Sequence, residues 1–172
     1  MRKIIILALG LLLFGCTSQV DIEQIAKDDK LNSQQKNYLE GCEKYDNIKA
    51  CDKIAWSYEY ELENDDKALK YYEKSCNLAA EQKILSKACD NAVDLYEEKL
   101  EAGIKGSKDK ALRYYELTCR TADWGRVSAC EDAAEIFIEK KDYQKAKRYA
   151  LMSALYGGGY IDFIKKYKLI KR

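Results

Sequence analysis

The sequence predicts an all-α protein: a helix–turn–helix solenoid of about three repeats, with a half-repeat before them and a capping helix after them. Three observations predict it. The 172 residues contain no proline and are rich in Ala, Leu, Lys, Glu and Tyr, a composition that suits helices and leaves out their strongest breaker. From residue 50 onward the chain is self-similar at a period near 40, the mark of a repeat array. Within each period the apolar residues recur at i, i+3, i+4 and i+7, one face of an amphipathic helix.

Taken in order, Arg2 and Lys3 precede an apolar run over residues 4–14, and Gly15-Cys16 closes it. A basic start, a short apolar stretch and a small residue before a cleavage point describe a secretory signal. A membrane-spanning helix needs about 20 apolar residues, more than this run supplies. The segment resembles a bacterial lipoprotein signal peptide, with Phe14 bulkier than that motif usually carries. The resemblance implies removal of residues 1–15 and lipidation of Cys16, whose several acyl chains would anchor it stably. Thr17 and Ser18 follow in place of the Asp that retains lipoproteins at the inner membrane. The expected address is therefore the outer membrane, lipid-anchored, on its periplasmic side. Residues 16–30 then read as a lipidated tether, and 31–172 as the repeat domain. Removing residues 1–15 takes away Arg2 and Lys3, leaving 28 basic and 29 acidic residues in 157. Such a balance gives no reason to expect nucleic-acid binding. That length suits a single domain, expected here as a monomer.

The half-repeat is a helix over residues 31–41 with Cys42 at its end. Three first helices open alike, at Ala50-Cys51-Asp52, Ala88-Cys89-Asp90 and Ala129-Cys130-Glu131. Their packing faces are Ile54, Ala55 and Tyr58; Ala92, Val93 and Tyr96; Ala133, Ala134 and Phe137. Second helices follow. Lys67-Ala68-Leu69-Lys70-Tyr71-Tyr72-Glu73 matches Lys110-Ala111-Leu112-Arg113-Tyr114-Tyr115-Glu116, and Lys145-Ala146-Lys147-Arg148-Tyr149 is a looser third copy. The paired tyrosines are expected to pack between helices. Asp65, Asp66, Asp109 and Asp142 place acid at the positive end of each second helix. The connector over residues 101–107 is the longest within a unit, and Trp124-Gly125 is expected to hold an extra loop. Gly157-Gly158-Gly159 ends the third unit. Residues 160–169 then form an amphipathic cap whose packing face is Ile161, Ile164 and Tyr167; repeat arrays need such ends for solubility.

Six cysteines remain after Cys16, an even number in an exported chain, which reads as disulfides. Without a Cys-x-x-Cys or any histidine, no metal site is expected, and no cofactor. The register selects a pairing. Wherever a second helix ends in cysteine, the next first helix opens with one, which gives Cys76–Cys89 and Cys119–Cys130, and by the same logic Cys42–Cys51. Antiparallel neighbours bring those turns to one end of the array, within disulfide reach.

The runs Ala-Cys-x-x-Ala-x-x-Leu-Tyr at 88–96 and Lys-Ala-Leu-x-Tyr-Tyr-Glu-x-x-Cys at 110–119 resemble the Sel1-like repeat, in particular its cysteine-rich secreted subset. Spacings of 9, 13 and 11 residues between paired cysteines are longer than is usual there. The resemblance implies a non-catalytic protein-binding module. Some lipoproteins of this kind are immunity proteins against periplasm-delivered toxins such as secreted lipases. Others carry a penicillin-binding or β-lactamase label, which is the alternative reading. Ser33-x-x-Lys36 and Ser107-x-x-Lys110 fit half of that signature, while the Ser-Asp-Asn and Lys-Thr-Gly companions are missing. The lack of histidine removes Ser-His and Cys-His nucleophile pairs, so no catalytic residues are expected.

The candidate binding surface lies on the first helices. Positions one, five and nine after each cysteine align at i, i+4 and i+8. They hold Asp52, Trp56 and Tyr60; Asp90, Asp94 and Glu98; Glu131, Glu135 and Glu139. Like charges four residues apart destabilise a helix by some tenths of a kcal/mol, so two acid rows invite an explanation. The expectation is an acidic and aromatic face for a partner that is basic where it touches.

Overall fold

The computed structural model describes residues 30–121, 125–159, 163, 165 and 166, and among these the chain is all-helical. Seven α-helices follow one another: α1 (Ser33–Tyr45), α2 (Ile48–Trp56), α3 (Asp65–Gln82), α4 (Ala88–Glu101), α5 (Ser107–Thr121), α6 (Arg126–Glu139) and α7 (Tyr143–Leu155). Each packs on the next, and the second helices α3, α5 and α7 also touch one another. The array is thus a half-unit, α1, followed by three hairpins, α2/α3, α4/α5 and α6/α7.

Side-chain caps set where several helices begin. Asn32 and Gln35 form a reciprocal capping box, so α1 starts two residues later than the pattern predicts and carries Cys42 in its last turns. Asn47, Asn64 and Asp142 each accept a hydrogen bond from the backbone N–H three residues on, at the starts of α2, α3 and α7. Asp46 and Lys83 end α1 and α3 in the left-handed region, with φ of 46° and 56°. In the long connector Gly103 and Gly106 stand at φ 73° and 88°, where a side chain would be strained, which explains why this connector needs glycines. One departure from regularity has no signal in the sequence: α2 runs on into a π-helical turn, Ser57–Glu61.

The apolar spacing buries as expected. Cys51, Ile54 and Ala55 of α2 and Tyr58 of the π-helical turn are in the core, as are Cys89, Ala92, Val93 and Tyr96 of α4 and Cys130, Ala133, Ala134 and Phe137 of α6. Each unit repeats one aromatic arrangement. Tyr58 stacks on Tyr71, Tyr96 on Tyr114 and Phe137 on Tyr149, with centroids 5.7, 5.7 and 5.5 Å apart. Over the first ring of each stack lies the ammonium of a lysine in the first turn of the second helix, Lys67, Lys110 or Lys145. Tyr72 and Tyr115 are also buried, so all four paired tyrosines serve packing.

The cysteines pair as the register predicts: Cys42–Cys51, Cys76–Cys89 and Cys119–Cys130, with Cα atoms 4.6, 4.8 and 4.9 Å apart. All six are fully buried. Each bond joins the second helix of one unit to the first helix of the next. The loops are short, and the chain-entropy treatment gives about 3 kcal/mol for each.

After α7 the chain turns at Gly157. A Cβ on Gly158 would fall 1.9 Å from the Ser153 Oγ and 2.8 Å from the Glu131 Oε1, so only glycine fits beside those two side chains. Phe163 is buried against the core at the place expected of the cap. Ile161, Ile164 and Tyr167 lie outside the described residues, as do Trp124, the signal segment, Cys16 and the tether up to residue 29. Among the described residues no helix is long and apolar enough to cross a membrane.

Candidate partner-binding face

The nine stripe residues separate into three groups once placed. Those directly after the cysteines are engaged in structure. Asp52 accepts a hydrogen bond from the Ser75 hydroxyl of α3; burial pushes its carboxyl up, and that bond pulls partly back. Glu131 accepts from the Ser153 hydroxyl at 2.8 Å and from the Gly159 amide at 3.2 Å. Asp90 faces Gly125, where a Cβ would sit 2.4 Å from its Oδ1. All three acids are half-buried, and Asp52 and Glu131 tie their first helices to the elements beside them.

A second group pairs with lysine. The Glu135 Oε1 is 2.9 Å from the Lys166 ammonium, and Glu139 is bridged by Lys108. Exposed pairs of this kind contribute about 0–1 kcal/mol.

The third group is the open part of the face: Trp56, Tyr60, Asp94 and Glu98. Trp56 and Tyr60 are 48% and 63% exposed, with ring centroids 5.4 Å apart. Glu59 beside Tyr60, then Asp94 and Glu98 from α4, raise the Tyr60 hydroxyl's pKa, so the two helices share one electrostatic field. Asp94 has its carboxyl pushed up to about 6, first by desolvation, then by Asp90, Glu97, Glu59 and Glu98. No hydrogen bond or ion pair holds it among the described residues.

Two residue sets that the pattern alone did not single out complete the face. Asp132 of α6 is also pushed up to about 6, by burial first and then by Glu97, Glu135 and Glu131. It lies at a position held by Lys53 and Asn91 in the other units, so no repeat rule points to it. Beneath the face, the Tyr72 hydroxyl donates to Glu59, and the Tyr115 hydroxyl donates to Glu97. Burial and the adjoining carboxylates raise both phenols far above their usual value, so both remain donors. In the third unit the matching residues are Ala150 and Ile138: donor and acceptor are lost together. That paired loss is a signal readable in the sequence by aligning the units.

The carboxylates that act on one another run from Glu135 and Asp132 on α6 through Glu97, Asp94 and Glu98 on α4 to Glu59 in the π-helical turn after α2. Described His, Cys, Asp and Glu residues form no group of three that could hold a metal ion. As for the two Ser-x-x-Lys runs, Ser107 is buried at the start of α5, and the Lys110 ammonium lies 5.7 Å from the centre of the Tyr96 ring. Ser33 is exposed at the start of α1.

Comparison with protein-family models, with curated proteins and with solved structures returns no match for this chain.

Proposed function

We propose that this chain is a non-catalytic protein-binding module of Sel1-like type, anchored through lipid at Cys16 to the periplasmic side of the outer membrane. It docks a partner that is basic where it meets the first-helix face. The observation that carries the reading is the open group on that face. Two large exposed aromatics touch each other beside Asp94, whose carboxyl is pushed up to about 6 by desolvation first and then by the carboxylates around it. A cation brought there gains the attraction of several carboxylates and relieves their repulsion, while Trp and Tyr are residue types that dominate interface hot spots. The finer form of the proposal is toxin immunity, in which the basic surface belongs to a periplasm-delivered enzyme such as a secreted lipase.

The test uses the lipidated protein in detergent, with capture of purified candidate toxins followed by surface plasmon resonance. Reversing charge with Asp94→Lys and Glu98→Lys should slow association at least tenfold at low salt, with a smaller change in dissociation. Trp56→Ala should act mainly on dissociation. Unchanged association of a well-folded charge-reversed protein would remove this face from the interaction. Cys16→Ser, in the same strain, should abolish incorporation of radiolabelled palmitate; continued labelling would refute the anchor.

A further inference from the structure

One cleft shares no residue with the acidic face. It has a volume of about 310 Å³ and is walled by α3, α4, the connector after α4 and the start of α5. That is near the lower end of the range, about 300–1,000 Å³, in which small molecules bind. The long connector makes it. Five residues, 102–106, join α4 to α5, against three, 140–142, in the next unit, and Ile104, Lys105 and Gly106 of the longer one line the cleft. We propose that this cleft binds the phosphate group of a small phosphomonoester, held by the Ser107 hydroxyl, the first turn of α5 and the ammonium groups of Lys105 and Lys110.

The buried serine is the first argument. Ser107 is only 2% exposed, and its hydroxyl makes no hydrogen bond among the described residues. Buried hydroxyls are nearly always satisfied. This one is not sealed in the core, as that of Thr118 is, and its residue lines the cleft, so its partner must come from there. Ser107 also opens α5, a helix of 15 residues. The residue before it, Gly106, has no side chain to cap the helix as Asn64 and Asp142 cap α3 and α7. Uncapped amides at such an end carry partial positive charge and favour anions.

Charge is the second argument. Four lysines line the cleft against two acids, Asp66 and Glu73. Lys99 is committed to Asp66 at 2.6 Å, and Lys70 to Glu43 outside the cleft at 2.9 Å. Glu73 accepts the Tyr96 hydroxyl. Lys105 and Lys110 have no carboxylate partner among the described residues, which leaves the cleft positive even with Glu73 ionised. The donor set favours phosphate over carboxylate. Lysines without any arginine supply point charge rather than the planar fork that suits a carboxylate, and a dianion matches two ammonium groups. Leu69, Ile104 and the Tyr96 ring offer apolar contact to a short organic group.

The lipidated chain in detergent, titrated by calorimetry with glycerol 3-phosphate near neutral pH, tests this. Saturable binding is expected, and Lys105→Glu should weaken it about tenfold or more. Lys147→Glu, the same charge change at an exposed site on α7, should alter it less than about twofold. Equal weakening by both would mean general charge attraction and overturn the site. Binding should strengthen as pH rises through about 6, where a monoester gains its second charge. Amide spectra of the unaltered chain need no variant to fold: the largest shifts should fall on Ser107, Lys108 and Asp109. Shifts spread over lysines of every unit, or an equal response to acetate, refute the assignment. If only dioctanoyl phosphatidic acid moves those amides, the phosphate is that of a lipid headgroup; no response to either ligand overturns the proposal. The partner face and this cleft have no residue in common, so each reading stands or falls separately.

Discussion

Asp132→Asn should make the protein more stable at neutral pH and leave it unchanged in acid. Asp132 has no hydrogen bond or ion pair among the described residues, and burial together with Glu97, Glu135 and Glu131 pushes it up from the usual 3.8 to about 6. The folded protein therefore holds this proton more tightly than the unfolded chain does. Below about pH 4 both states are protonated and the favourable linkage is fully present; it is lost as pH rises through about 6. At about 1.4 kcal/mol per pH unit the full difference is near 3 kcal/mol. The side chain is partly open to solvent, and screening reduces this to about 1–2 kcal/mol. For a domain of this size that corresponds to about 3–6 °C in Tm. Thermal melts by circular dichroism at about pH 7.5 should show the variant melting higher by that amount, with the gap closing near pH 4 and narrowing in about 0.5 M salt. A gap of equal size at both pH values, or a variant less stable at pH 7.5, would show that burial and the neighbouring acids do not disfavour the charged carboxylate.

Other outcomes follow from the same packing. Tyr115→Phe removes the hydroxyl that donates to Glu97 and should cost about 1.5–3 kcal/mol in urea unfolding, whereas Leu100→Ala, an exposed change on α4, the helix of Glu97, should cost under about 1. In a Glu97→Gln background the cost of Tyr115→Phe should fall by half or more, and full additivity would deny the pair. Replacing Cys76 and Cys89 together by Ala should lower stability by about 3 kcal/mol or more, since the fully buried bond also packs. Non-reducing peptide maps must return the three pairs described, and a Cys51–Cys76 link would overturn the register.

Much of the fold was legible because one rule is written three times. Period, helical spacing and the alternation of cysteines between helix ends all follow from stacking identical hairpins, and Tyr58, Tyr96 and Phe137 bury where the spacing puts them. The binding face was legible only in part. Spacing of four along a helix tells which residues share a side, but not what stands opposite. Asp52 and Glu131 look free until Ser75 and Ser153 arrive from the second helices, 23 and 22 residues later. A clue did exist: Ser75, Thr118 and Ser153 hold matching positions, one before Cys76, Cys119 and Ala154. The middle copy breaks even that rule, since the buried Thr118 hydroxyl has no hydrogen-bond partner among the described residues. Asp132 was invisible because its position does not repeat, and the π-helical turn after Trp56 because backbone register there depends on packing rather than residue type.

The disulfides have a dynamic consequence. A solenoid without them is nearly one-dimensional, and its end units can unzip one at a time, because each contacts only its neighbours. Here the covalent links lie at the junctions, the places where such unzipping would begin. A unit that opens locally remains held by its neighbour, so reclosing is a search over a short loop rather than a fresh docking. Hydrogen exchange in the oxidised protein should therefore show one broad protection level across α1 to α6, and only after reduction a gradient from the ends inward. The thiols themselves are shut inside that structure, so a reductant can reach them only through the openings they suppress. The array guards its own fasteners, and its lifetime in a changing redox environment is set by how rarely it breathes.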